Sequence, residues 1–277
     1  MTATLRLFCD PLGQKVELAY PPQRIVSLVS GLTETLFALG CGERVVGVST
    51  YCRRYVSDLQ AEVVGDYLRV DLERLQEVRP DLILLTTGVQ RQLAQRLLRQ
   101  GWPVFVLPLP NSVYGIWENI VMLGGLVGAV QPARDLVARW QACFADLAAR
   151  AFQPRPRVYA ELWFGPHPRT PGALTFIHDL IEVAGGQNLF GARPAGYLSL
   201  DLAAVVQQKP QVWLLFSEPE YPIDPAVLLR ARGWDVLLPD MRIVISTVQR
   251  GENLIHDGPS MMETAVWLQA RLAEVVA

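Results

Sequence analysis

Short β-branched runs alternate with amphipathic stretches along this chain, and the order is written twice. RIVSLV (24–29) has the length and content of a buried parallel strand. Ser30 or Gly31 then opens LTETLFALG, with Glu34 three residues after Gly31 and Gly40 where a C-terminal cap belongs. RVVGVS (44–49) is predicted as the second strand. DLERLQEVR follows as a two-turn helix, capped by Asp71 and stopped by Pro80. DLILLTT, RQLAQRLLRQG and PVFVLP predict strand, helix and strand. In the second half RVYAEL (157–162), FIHDLIEVAGG (176–186), LDLAAVVQQKP, QVWLLF and RIVIS (242–246) repeat the plan.

The repetition is close enough to align. YLRVDLERLQEVRPDLILL (67–85) and YLSLDLAAVVQQKPQVWLL (197–215) share one offset of 130, from Tyr67 to Tyr197, Asp71 to Asp201 and Pro80 to Pro210. That period is the size of a domain, not of a solenoid repeat. Strands alternating with helices imply parallel sheets built from right-handed βαβ units. The fold class expected is therefore α/β, with two Rossmann-like lobes. The N-terminal lobe is placed at 1–130 and the C-terminal lobe at 154–277. Between them, 131–153 is expected as one long linking helix, since Leu136, Trp140, Phe144 and Leu147 recur at helical spacing.

Composition narrows the function. The hydrophobic fraction of 51% and charged fraction of 19% describe a globular protein. A net charge of −2 gives no electrostatic footprint for nucleic acid. Cys9, Cys41, Cys52 and Cys143 make no metal-ligand spacing and are expected as buried thiols, so no metal site is predicted. The first residues lack an apolar run and a cleavage site, so no signal peptide is read and a cytoplasmic location is the alternative to be weighed. No G-x-S-x-G, Walker A or G-x-G-x-x-G motif is present, and no catalytic set emerges; the chain is not expected to be an enzyme.

Open α/β sheets bind ligands beyond the carboxyl ends of their strands, which places the expected ligand cleft between the lobes. The loops there are aromatic. Tyr51 follows RVVGVS, Tyr67 and Tyr197 precede the repeated helices, and Trp163 and Phe164 follow RVYAEL. His167 lies on a proline-rich loop, and Glu252 follows the last strand; both join the candidate ligand-binding set. Aromatic bodies with polar tips suit a large, flat ligand with amide or carboxylate edges.

PPQRIVSLVSGLTETLFALGCGERVVGVSTYC, VVGDYLRVDLERLQEVRPDLILL and FIHDLIEVAGGQNLFG together resemble the substrate-binding proteins of ABC importers for cobalamin, haem and ferric siderophores. The resemblance runs from about residue 10 to the C-terminus. It implies a monomeric, extracytoplasmic or periplasmic receptor that partners importer permease subunits, with a bound ligand and no catalytic cofactor. The cobalamin binders fit best. In haem binders of this family the tyrosine directly follows the glycine, whereas here Asp66 stands between Gly65 and Tyr67. Haem through Tyr67 or His167, or an anionic siderophore met by cleft arginines, are the alternatives, as is a cytosolic corrinoid binder uncoupled from transport. The resemblance also implies a docking glutamate on each lobe. Glu73 matches the first; Ala203 stands where the second belongs.

Overall fold

The computed structural model describes residues 3–276, which divide into two compact units. Among the described residues, unit 1 comprises 3–110, 114–139 and 256–259; unit 2 comprises 111–113, 140–255 and 260–276.

Unit 1 opens with an antiparallel hairpin, β1 (Ala3–Cys9) and β2 (Gln14–Tyr20), that the hydrophobic pattern does not announce. A parallel sheet follows: β3 (Ile25–Ser27), α1 (Ser30–Ala38), β4 (Val45–Ser49), β5 (Glu62–Gly65), α2 (Leu72–Val78), β6 (Leu82–Thr86), α3 (Arg91–Arg99) and β7 (Val104–Leu107). The strand order β5-β4-β3-β6-β7 reverses between β3 and β6, the doubly wound arrangement whose ligands lie at the switch point. Leu82, Ile83, Leu84 and Leu85 are fully buried, as expected of a strand covered on both faces. The glycine-broken stretch near 120–128 is helical: α4 (Val113–Val127) precedes α5 (Val130–Ala149). Gly124 is there for close approach, because a Cβ would lie 2.5 Å from the Ala133 Cβ. The helix expected at 131–153 thus runs from 130 to 149, and the boundary between the units falls within it, after Arg139.

Unit 2 contains β8 (Arg157–Phe164), β9 (His167–Pro171), α6 (Phe176–Val183), β10 (Gln187–Asn188), β11 (Tyr197–Leu198), α7 (Leu202–Gln208), β12 (Val212–Ser217), α8 (Pro225–Ala231), α9 (Trp234–Leu237), β13 (Arg242–Ser246) and α10 (Met261–Val276). β8, β12 and β13 are parallel. A wholly parallel sheet does not form, however. The chain turns at Gly165–Pro166, and β9 runs back antiparallel to β8, with β11 antiparallel to β9. Gly165 takes a φ of 57°, which lets this turn close.

The repeat is visible in the hydrogen bonds. Asp71 caps α2 by accepting the Glu73 and Arg74 N–H groups, and Asp201 caps α7 by accepting that of Ala204. Both helices end on a left-handed basic residue, Arg79 (φ 41°) and Lys209 (φ 49°), before Pro80 and Pro210. In each unit an arginine at the amino end of the central strand, just before β3 or opening β8, closes the helix end. Arg24 donates to the carbonyls of Val78 and Arg79, and Arg157 to those of Gln208 and Lys209. Orphan carbonyls at a helix C-terminus need such donors, and a cation suits them.

Candidate functional site

In unit 1, the segment between β5 and α2 forms a tight turn that presents Tyr67 and Leu68. Asp66 Oδ1 accepts the N–H groups of Leu68 (2.7 Å) and Arg69 (2.8 Å), and Gly65 bridges Val70. Gly65 must be glycine, since a Cβ would collide with the Arg69 carbonyl and lie 2.9 Å from the Val70 Cα. Tyr67 is half-buried, with its hydroxyl 3.3 Å from Thr86 Oγ1. Its carbonyl accepts from Gln90 Nε2 at 2.8 Å. Gln90, fully buried, also donates to Leu28 O and accepts from the Thr86 N–H and hydroxyl. This one amide ties the ends of β3 and β6 at the switch point to the Tyr67 turn. Burial pushes the Tyr67 phenol up; the Thr86 hydrogen bond opposes this, and the charge of Asp257 adds to it.

Tyr51 is half-buried beneath Arg54, whose guanidinium lies 5.1 Å from the ring centre. A recess of about 470 Å³ lies beside the Tyr67 turn, lined by Thr50, Asp66, Arg69, Val70, Asp71 and Arg74 among others. Its carboxylates are largely engaged: Asp66 by the turn, Asp71 by its cap and by Arg74 at 3.4 Å.

A second cluster in unit 1 has no signal in the sequence. His256, which follows β13 along the chain, is buried. Its Nε2 lies 2.7 Å from Glu34 Oε2, and its ring stacks on Tyr55 at 3.5 Å with 8° between planes. Gly258 packs into the same place, since a Cβ there would lie 2.5 Å from His256 Nε2.

In unit 2, aromatic side chains gather at the carboxyl end of β8. Trp163 and Phe164 are half-buried, and Phe164 meets the 43% exposed Tyr197 edge-on at 5.5 Å. Tyr221, absent from the predicted set, packs over Gly165, whose N–H is accepted by Glu218 Oε2 at 2.8 Å. Below them lies a buried charge pair. Glu161 Oε2 accepts from Arg232 (2.7 Å) and Tyr159 (3.0 Å); Oε1 accepts from Arg232 and Trp163 Nε1, both at 2.8 Å. Desolvation works against the Arg232 charge, yet its bonds and attraction to Glu161 more than offset this, so the guanidinium is held above its ordinary value. A lone glutamate in the otherwise apolar VYAELWF was the available sequence signal for this pair.

His167 is not on an irregular loop. It begins β9 opposite Phe164, exposed at the tip of the hairpin, because the chain pairs back on β8. Glu252 follows β13, with Oε2 3.2 Å from Thr247 Oγ1, and its carbonyl accepts from Ser246. The structure thus brings Phe164 and Tyr197 together, with Trp163 on the opposite face of β8; Tyr51 and Tyr67 lie on loops of unit 1, His167 begins β9, and Glu252 lies on the loop after β13. Glu73 is exposed on α2, and Ala203 is exposed at the matching position of α7. Asp201 is engaged as a cap and Glu218 by Gly165. Among the described residues, no group of three His, Cys, Asp or Glu side chains is arranged to hold a metal ion, and no helix is long and apolar enough to cross a membrane.

A doubly wound sheet in unit 1 and a mixed sheet in unit 2, each with aromatic side chains on its loops, define the class: the two-unit α/β fold of periplasmic binding proteins. The periplasmic binding protein family model matches residues 25–236, and the chain belongs to that family. It is 30% identical over 210 residues to a cobalamin-binding protein of Halobacterium salinarum, covering 73% of this chain and 56% of that one. The chain therefore spans little more than half the length of that relative. A vitamin B12-binding protein of Photorhabdus laumondii is 26% identical over 220 residues, 78% of each chain. The apo periplasmic heme-binding protein RhuT from Roseiflexus sp. RS-1 superposes with a TM-score of 0.76 at 25% identity, covering 92% of this chain and 99% of that one.

Proposed function

We propose that this protein is the extracytoplasmic receptor of an ABC importer and that its cargo is a corrinoid of the cobalamin class. The observation that carries the choice of ligand is the state of Tyr67. Its hydroxyl is engaged by Thr86, and burial raises its pKa, so the neutral phenol is favoured. Axial ligation of haem iron by tyrosine uses the phenolate, which this environment disfavours. A neutral aromatic ring suits a corrin, whose body is broad and apolar and whose cobalt keeps its own ligands. The aromatic side chains Phe164, Tyr197 and Tyr221 at the end of β8, with Trp163 on the strand's other face, fit the same cargo, and the named cobalamin and vitamin B12 binders among the relatives favour it.

Contact with the permease is assigned to Glu73, exposed on the first turn of α2. Haem is the second reading, favoured by the likeness to RhuT and by the exposed His167 at the tip of the β8–β9 hairpin. Calorimetric titration of ligand-free protein with cyanocobalamin and with haemin, each followed by absorption spectra, decides between them. Micromolar or tighter cyanocobalamin binding with haemin inert is expected. Tight haemin binding with a shifted Soret band would transfer the reading to haem, and binding of neither would end both.

A further inference from the structure

Tyr159, Glu161 and Trp163 alternate along β8 and so point to one face of the sheet. That face is the aromatic core of unit 2, built on Tyr159, Trp213, Trp234 and Phe190, with Trp163 packed against its edge. A carboxylate in such surroundings is costly unless fully paired. Glu161 is 0% exposed and its two oxygens receive four donors. Three of those donors, from Tyr159 and Arg232, lie on the core side. The fourth is the indole N–H of Trp163, which is half-buried at the carboxyl end of the strand.

Arg232 is itself fixed in place. It terminates α8, and Gly233 takes a φ of 64°, turning the chain directly into α9 at Trp234. The guanidinium therefore lies 4.8 Å from the Trp234 ring centre and 5.4 Å from that of Trp213, its fork aimed at both Glu161 oxygens. A planar, bidentate arginine fixes the carboxylate plane, and the carboxylate fixes the indole. Stability alone does not call for such a pair, since well-packed apolar side chains commonly serve as well.

We propose that Glu161 and Arg232 are positioning residues for ligand binding: they lock the Trp163 indole by its N–H, so that its exposed face stands as a rigid wall for a flat macrocyclic ligand. This rests on the reading of Trp163 as a ligand-facing side chain. A pre-ordered aromatic loses little freedom on binding, which favours affinity without adding contacts.

The test uses the full chain with Tyr159→Phe/Glu161→Leu/Arg232→Met. This triple variant removes the whole buried network except the Trp163 N–H, so that it folds while the indole is released. The ligand-free readout is solvent exchange of the Trp163 indole N–H in ¹⁵N NMR spectra, assigned by its absence in Trp163→Ala. Exchange slow in the wild type and at least about tenfold faster in the triple variant is expected, the ratio for losing one hydrogen bond of ordinary strength.

The ligand readout is cyanocobalamin affinity. Trp163→Ala should weaken it by about two- to tenfold, the size of one aromatic contact. The triple variant should lose nearly as much, and Trp163→Ala added to the triple should cost little more. Unchanged indole exchange in a folded triple variant would overturn the proposal. So would wild-type affinity in the triple variant or in Trp163→Ala, or losses that simply add. If the wild-type protein binds neither cyanocobalamin nor haemin, the ligand reading falls, and indole exchange alone decides whether the pair positions Trp163.

Discussion

Removing only the cation from the unit 2 core should be far more damaging than removing the whole network. In Arg232→Met the fully buried Glu161 keeps Tyr159 and Trp163 as donors but loses two charge-assisted bonds and the positive charge beside it. Breaking a buried pair in this way costs about 3–5 kcal/mol, because a carboxylate is left uncompensated. The arginine also leaves two indole rings, each contact contributing roughly 0.5–2 kcal/mol more. Taking the lower figure and a slope of about 3 kcal/mol per M of urea for a unit of this size, the midpoint should fall by at least about 1 M. Tryptophan fluorescence reports the transition, since Trp213 and Trp234 flank the lost guanidinium. The Tyr159→Phe/Glu161→Leu/Arg232→Met variant should recover most of the loss, leaving no buried charge and no orphaned phenol. A single variant within about 1 kcal/mol of the wild type, or a triple variant as unstable as the single, would refute the reasoning.

Four further outcomes follow from the structure. Tyr67→Ala with Tyr197→Ala should weaken cyanocobalamin by roughly 1–3 kcal/mol in calorimetry, and an unchanged affinity in the folded variant would take both rings out of the site. Gln90→Leu should destabilise unit 1 by about 1–3 kcal/mol in thermal unfolding, since the Thr86 N–H and the Leu28 and Tyr67 carbonyls lose their partner; an unshifted midpoint would deny it that role. Asp257 is held above the ordinary carboxylate value by burial, with Glu34 adding to the effect and His256 opposing it. A carboxyl raised on folding contributes stability below its unfolded pKa and loses it as pH rises through the folded one. Asp257→Asn should therefore gain on the wild type as pH climbs above about 4, by at most ~1.4 kcal/mol per unit, and parallel pH profiles would count against this. Glu73→Ala should weaken binding to the reconstituted permease by about 1.4- to 5-fold, and equal binding would remove the docking role.

The elements that could be read directly are those with local signals. Asp71 and Asp201 cap their helices because a short acceptor before an amphipathic run does so wherever it occurs, and Pro80 and Pro210 stop them for equally local reasons. The tyrosine pair at the head of each repeat was visible for the same reason. What escaped depends on distance in sequence. Nothing near His256 tells of Glu34, and nothing near Gln90 tells of the Tyr67 carbonyl; each contact exists only once the sheet has formed. His167 was misplaced because a proline-rich stretch reads as loop, while the antiparallel partner that makes it a strand lies across a turn. The β1–β2 hairpin is largely exposed, so it carries little of the apolar periodicity that reveals a buried strand.

The return of residues 256–259 to unit 1 has a consequence for biosynthesis. Glu34 and His256 are 222 positions apart, yet they occupy one buried cluster with Tyr55. As the ribosome elongates the chain, the N-terminal unit has its sheet long before it has the segment that completes its core. Closing so wide a loop is entropically costly and comes late. The nascent chain therefore stays incompletely folded until all but its last helix has been made. A fragment ending at residue 139, although it contains every strand of the first sheet, would lack that segment and should not reach the stability of the same unit in the whole protein.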